Sequence, residues 1–125
     1  MPSPRKGDLY WAEIRVGQAA GSEQFGRRPW VIVSSDYINA QLPIVIAVPL
    51  SRQTHKQQHR AHRILVPTGE MIQDPQSNST LGDSIALTEQ VRVLSVDRLD
   101  SKIGKLTPTA VAAIEAGLSF VFGIP

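Results

Sequence analysis

The sequence predicts a small α+β protein, a bent β-barrel of short strands closed by one C-terminal helix. Short β-branched runs bounded by turn residues recur through most of the chain, and one amphipathic helix stands alone at its end. With 125 residues, 42% of them apolar, the chain can bury one core but is too short for two ordinary domains, so residues 1–125 read as one domain.

Each element has its own signal. From Leu9 to Val16, Tyr10, Ala12, Ile14 and Val16 fall on one face and Glu13 and Arg15 on the other, the alternation of a half-buried strand. Trp30 to Ser34 (WVIVS) and Ile44 to Leu50 (IVIAVPL) are β-branched runs of the kind buried on both faces, which predicts central strands. Arg63 to Val66 predicts a further short strand. Ser84 to Leu94 (SIALTEQVRVL) predicts one long strand interrupted by a bulge near Glu89 and Gln90. Gly69 to Gly82 is polar and lacks periodicity, so a loop is expected there. Ser101 to Leu106 predicts a last short strand. The helix follows: Thr107 caps it, Pro108 suits its first position, and Val111, Ile114, Leu118 and Val121 recur at three- and four-residue intervals.

Composition excludes several chemistries. No cysteine is present, which removes disulfides, thiolate metal sites and a cysteine nucleophile. The N-terminal residues have no apolar run of the signal-peptide kind, and no apolar stretch approaches membrane-spanning length. A cytoplasmic protein without membrane partners is expected. Net charge is only +2, yet Ser51 to Arg63 (SRQTHKQQHRAHR) gathers Arg52, Lys56, Arg60, Arg63 and all three histidines with no acidic residue between them. Such a segment attracts phosphate. His55, His59 and His62 would align as metal ligands only on a helix, and this stretch has no apolar periodicity to pack one, so no metal site is assigned.

The segments RKGDLYWAEI, GSEQFGRRPWVIVS, IVIAVPLS and GDSIALTEQVRVLSVDRL, followed by KIGKL, resemble toxins of the MazF/PemK family, in order and at the family's spacing over most of the chain. The resemblance implies an SH3-like barrel of the CcdB/PemK toxin type with a C-terminal helix. It also implies a homodimer that cleaves single-stranded RNA without metal or other cofactor and is neutralised by a cognate antitoxin.

The chemistry fits the residues. Cleaving RNA without a metal requires the ribose 2′-hydroxyl to attack the adjacent phosphate while something stabilises charge on the phosphoryl oxygens. Arg28 matches the family's catalytic arginine, and a guanidinium holds two oxygens while staying charged. Ser51 matches a position where many relatives carry threonine; it keeps the hydroxyl, which bonds phosphate, orients the attacking group, or merely caps a turn. Glu23 is either a general base or an anchor for Arg28. Gln24, Arg27, Arg52, Lys56 and Gln90 are candidate RNA contacts. Trp11 and Trp30 are expected in the core or an interface rather than on bases. Two other classes stay open: a protein-binding toxin of the gyrase-inhibitor type, which needs no phosphate-binding arginine beside a hydroxyl, and a catalytically decayed RNA-binding module.

Overall fold

The computed structural model describes residues 3–15, 21, 26–54 and 60–125. Among the described residues, eight strands and two helices follow one another: β1 (Asp8–Ile14), β2 (Gly26–Ile32), α1 (Asp36–Gln41), β3 (Ile44–Ser51), β4 (Arg63–Val66), β5 (Met71–Gln73), β6 (Ser84–Leu87), β7 (Arg92–Ser95), β8 (Leu99–Leu106) and α2 (Pro108–Phe122). The strands form one antiparallel sheet in the order β4-β6-β3-β2-β1-β8-β5, with β7 also beside β3.

The sheet buries both faces, so its central strands carry apolar residues on each side. One cluster joins Leu9, Val31, Val48 and Leu50 to Ala110, Ile114 and Leu118 of α2; the other gathers Ala12, Ile14, Trp30, Ile32, Val45 and Leu94. On β1 the alternation places Leu9 in the first cluster and Ala12 and Ile14 in the second. Curling is what lets eight short strands enclose two clusters.

The C-terminal helix has the expected ends. Thr107 Oγ1 accepts from the Ala110 N–H at 3.3 Å, Pro108 begins the helix, and Gly123 closes it at φ 69°, a left-handed conformation suited to glycine. The buried stripe is Ala110, Ile114, Gly117 and Leu118, while Val111 and Val121 are half-buried. Gly117 sets this face, because a Cβ there would stand 3.0 Å from Ile64 Cγ1 and 3.1 Å from Thr88 Cγ2.

Three expectations are revised. The span 84–94 is two strands rather than one bulged strand: β7 pairs with Ile44–Ala47 of β3 and β6 with Leu50–Ser51, and a 3₁₀ turn at Thr88–Gln90 separates them. The turn forms because the buried Thr88 hydroxyl donates to the His62 carbonyl at 2.6 Å, drawing the chain out of the sheet. The span 69–82 contains β5, whose Met71, Ile72 and Gln73 pair with Leu106, Lys105 and Gly104. A three-residue strand is too short to show a period. β2 begins at Gly26 and β8 at Leu99, earlier than their apolar runs, since pairing with β1 carries both into polar residues. In addition, α1 occupies a stretch for which the sequence predicts no element. Ser35 caps it, and Asn39 packs inward, donating to the Ser34 carbonyl at 3.0 Å.

Candidate functional site

The strands β2 and β3 pair at Ile32↔Ala47, Val31↔Val48 and Trp30↔Pro49, and their ladder ends there. Pro29, which has no N–H to donate, is the next residue on β2. Beyond this point β3 turns its pairing to β6, with Leu50 opposite Ala86 and Ser51 opposite Ile85. Arg28 on β2 and Ser51 on β3 both lie two residues past the last β2–β3 pair. A groove of about 200 Å³ opens at this divergence, and Arg27, Arg28, Ser51 and Arg52 line it together with Trp11 and Gln53.

Its chemistry follows from those groups. Three guanidinium-bearing side chains line the groove and, among the described residues, no carboxylate does, so it suits an anion. Arg28 is half-buried and rises from β2 directly before Pro29, whose fixed φ stiffens its base. Ser51 is only 6% exposed. Its Oγ accepts from the Gln53 N–H at 3.2 Å, which orients the hydroxyl and leaves its proton to be donated. The turn-capping and phosphate-binding readings of Ser51 are thus compatible.

Arg27 is more constrained than an RNA-contact assignment alone implies. Its Nη2 lies 3.0 Å from Asp100 Oδ2, and its Cζ lies 4.4 Å from the centre of the Trp11 ring. Arg52 is exposed on the groove wall. Gln90 is not brought to the groove; it lies in the 88–90 turn, where its Nε2 donates to Glu89 Oε2 at 3.4 Å. Glu23, Gln24 and Lys56 lie outside the described residues, as do His55 and His59. His62 instead stacks on Phe120 with ring centres 6.2 Å apart and faces Glu89, and among the described residues no three metal-ligand side chains cluster.

The two tryptophans part company. Trp30 is 1% exposed in the second cluster, whereas Trp11 is half-buried, packing against the first cluster as expected and also lining the groove. The signal for this was in the strand alternation, which puts Trp11 on the same face as Glu13 and Arg15. Ser79, which accepts from Trp11 Nε1 at 2.9 Å, and Asp100 carried no such signal, because nothing local ties them to this place. Beside Trp11 on β1, the Tyr10 phenol is pushed above its ordinary value, first by burial and then by Asp8 and Asp74; its side chain faces a different cavity, near Leu42 and Val96.

Comparison with known proteins sets this geometry in a family. The family model described as a PemK-like, MazF-like toxin of type II toxin–antitoxin systems matches residues 5–122. Among solved structures, MazF from Deinococcus radiodurans is 20% identical, with a TM-score of 0.74 over 98% of both chains. An endoribonuclease from a Mycobacterial species is 21% identical, with a TM-score of 0.70 over 100% of this chain and 96% of that one. A Mycobacterial endoribonuclease in complex with its cognate antitoxin is likewise 21% identical, with a TM-score of 0.72 over 98% of both chains. At this identity the likeness is one of fold: a curled antiparallel sheet with a C-terminal helix.

Proposed function

Because the chain belongs to the family of PemK-like, MazF-like toxins of type II toxin–antitoxin systems, we propose that it is an endoribonuclease toxin that cuts single-stranded RNA without a metal and is neutralised by a cognate antitoxin. The observation that carries this reading is the groove between β2 and β3, which Arg28 and Ser51 line together with the further cations Arg27 and Arg52. The ribose 2′-oxygen attacks the adjacent phosphorus, the bond to the 5′-oxygen breaks, and that oxygen leaves with a proton. A 2′,3′-cyclic phosphate and a 5′-hydroxyl result. Arg28 takes the charge that grows on the phosphoryl oxygens, and Ser51 donates a hydrogen bond to one of them. Glu23 is the candidate to accept the 2′-hydroxyl proton. Arg27, Arg52, Lys56 and Gln24 add contacts along the strand, with Gln90 as a more distant one. A toxin that acts by binding a protein would have no use for a guanidinium and a hydroxyl lining one cationic groove.

Residues 1–125 act as one domain in the cytoplasm. Among the described residues no helix is long and apolar enough to cross a membrane. The active species is a homodimer, since a domain this small offers little concave surface alone and a second copy extends the groove. Sedimentation at micromolar concentration is expected to give the mass of a pair; a monomer mass would overturn the dimer.

The chemistry is tested on RNA in excess chelator. The unmodified strand is expected to be cut to fragments ending in 2′,3′-cyclic phosphate and 5′-hydroxyl, and its all-deoxy analogue to survive. Loss of cleavage in chelator, or cutting of the deoxy strand, contradicts 2′-hydroxyl attack without a metal.

A further inference from the structure

We propose that Trp11 and Arg27 form a stacking seat for the nucleobase next to the phosphate held by Arg28, with Ser79 and Asp100 as positioning residues. The inference rests on the ribonuclease reading of the groove and adds to it a determinant of how the strand is seated.

Four separate parts of the fold converge on this seat. Trp11 comes from β1, Arg27 from β2, Asp100 from β8 and Ser79 from the segment after β5. The indole is fixed at its edge, because Trp11 Nε1 donates to Ser79 Oγ at 2.9 Å. Ser79 is itself held: its N–H donates to Ser77 Oγ at 3.0 Å, and Gln73 Nε2 donates to the Ser77 and Ser79 carbonyls at 2.9 and 3.0 Å. The ring is fixed at its face as well, where the Arg27 guanidinium lies 4.4 Å from its centre and is tied to Asp100 at 3.0 Å.

Stability does not explain this arrangement. The Arg27 and Asp100 side chains are 46% and 60% exposed, and ion pairs so open to solvent contribute little. Recognition does explain it. A guanidinium resting on an indole presents a flat, cationic, weakly hydrated plane, and bases of single-stranded RNA stack on both aromatic rings and arginine planes. Trp11 and Arg27 lie in the wall of the same groove that Arg28 and Ser51 line. Stacking reads the face of a base rather than its edge, so the seat fixes the register of the strand over Arg28 and leaves edge recognition to other groups.

The test separates the base from the phosphate. Fluorescein-labelled 2′-O-methyl dodecamers of random sequence, which lack the nucleophile, are compared by anisotropy with abasic dodecamers. The wild-type protein is expected to bind the base-bearing pool about tenfold more tightly or better. Trp11→Leu loses that preference and Trp11→Phe regains part of it. Arg27→Lys keeps the charge, and hence the affinity for the abasic pool, but loses the plane and the preference. Asp100→Asn raises affinity for the abasic pool while lowering the preference, because Arg27 is no longer held over the ring. Equal binding of the two pools by the wild type, or a wild-type preference in Arg27→Lys or Trp11→Leu, overturns the proposal. Arg27→Lys alters only an exposed side chain, so the test stands even where Trp11→Leu fails to fold. Cleavage of unmodified RNA is scored separately: cleavage without base preference removes the seat alone, and base preference without cleavage removes the ribonuclease reading alone.

Discussion

The Arg28→Ala protein is expected to cut RNA roughly a hundredfold to a thousandfold more slowly than the wild type, with an unchanged fold. The loss is large because the guanidinium is held ready for the transition state: Pro29 fixes its base and the end of the β2–β3 ladder gives it an opening to project into. Charge that must be gathered from solvent during reaction stabilises far less. Arg28→Lys is expected to recover only part of the rate, since an ammonium cannot span two oxygens. Ser51→Ala should cost less, as a neutral hydrogen bond contributes less than a charge at the same phosphate. Ser51→Thr keeps the hydroxyl and should retain most activity. Circular dichroism of each variant checks folding, and single-turnover rates on one oligonucleotide supply the comparison. Full activity in Arg28→Ala would remove the residue from the mechanism.

The second large effect concerns the fold. Gly104 lies on β8 where β5 crosses closest, and a Cβ there would meet the Ile72 carbonyl oxygen at 2.1 Å and Gln73 Cα at 3.0 Å. Both are backbone atoms, so no side chain can rotate away. Gly104→Ala is expected to push β5 off β8 at a cost of about 2 kcal/mol, lowering Tm by roughly 5–10 °C. Gly82→Ala is the control, with no atom within 4 Å of its Cβ, and should melt near the wild type. The damage should reach the groove as well. β5 ends at Gln73, which organises the segment carrying Ser79, and Asp74 N–H is anchored on the Ile103 carbonyl at 2.9 Å. A wild-type melting temperature for Gly104→Ala would contradict the close approach.

Legibility in the sequence followed the range of the interactions. The strands at 9–14, 30–32, 44–50 and 63–66 and the C-terminal helix were legible because alternation, β-branching, the Thr107-Pro108 start and a three- to four-residue period all act between near neighbours. α1 and β5 were not, for six and three residues do not complete a pattern. The 84–94 span shows the boundary well. Its β character was legible, but the hydroxyl of Thr88 finds the carbonyl of His62, 26 residues away, and that bond replaced a bulge with a turn.

The same division runs through the site. By itself the sequence determined which residue types were available: Arg28 before a proline, Ser51 at the end of an apolar strand, and a cationic segment beyond it. Only the tertiary structure decided that β3 leaves β2 for β6 at Leu50, so that Arg28 and Ser51 line an opening instead of extending a ladder. Only the tertiary structure separated the two tryptophans, burying Trp30 between strands and leaving Trp11 in the groove wall under Arg27. The physical reason is that strand identity is set by local side-chain pattern. Pairing partner and register are instead set by contacts far apart in sequence, and in this protein the site is made where one pairing gives way to another.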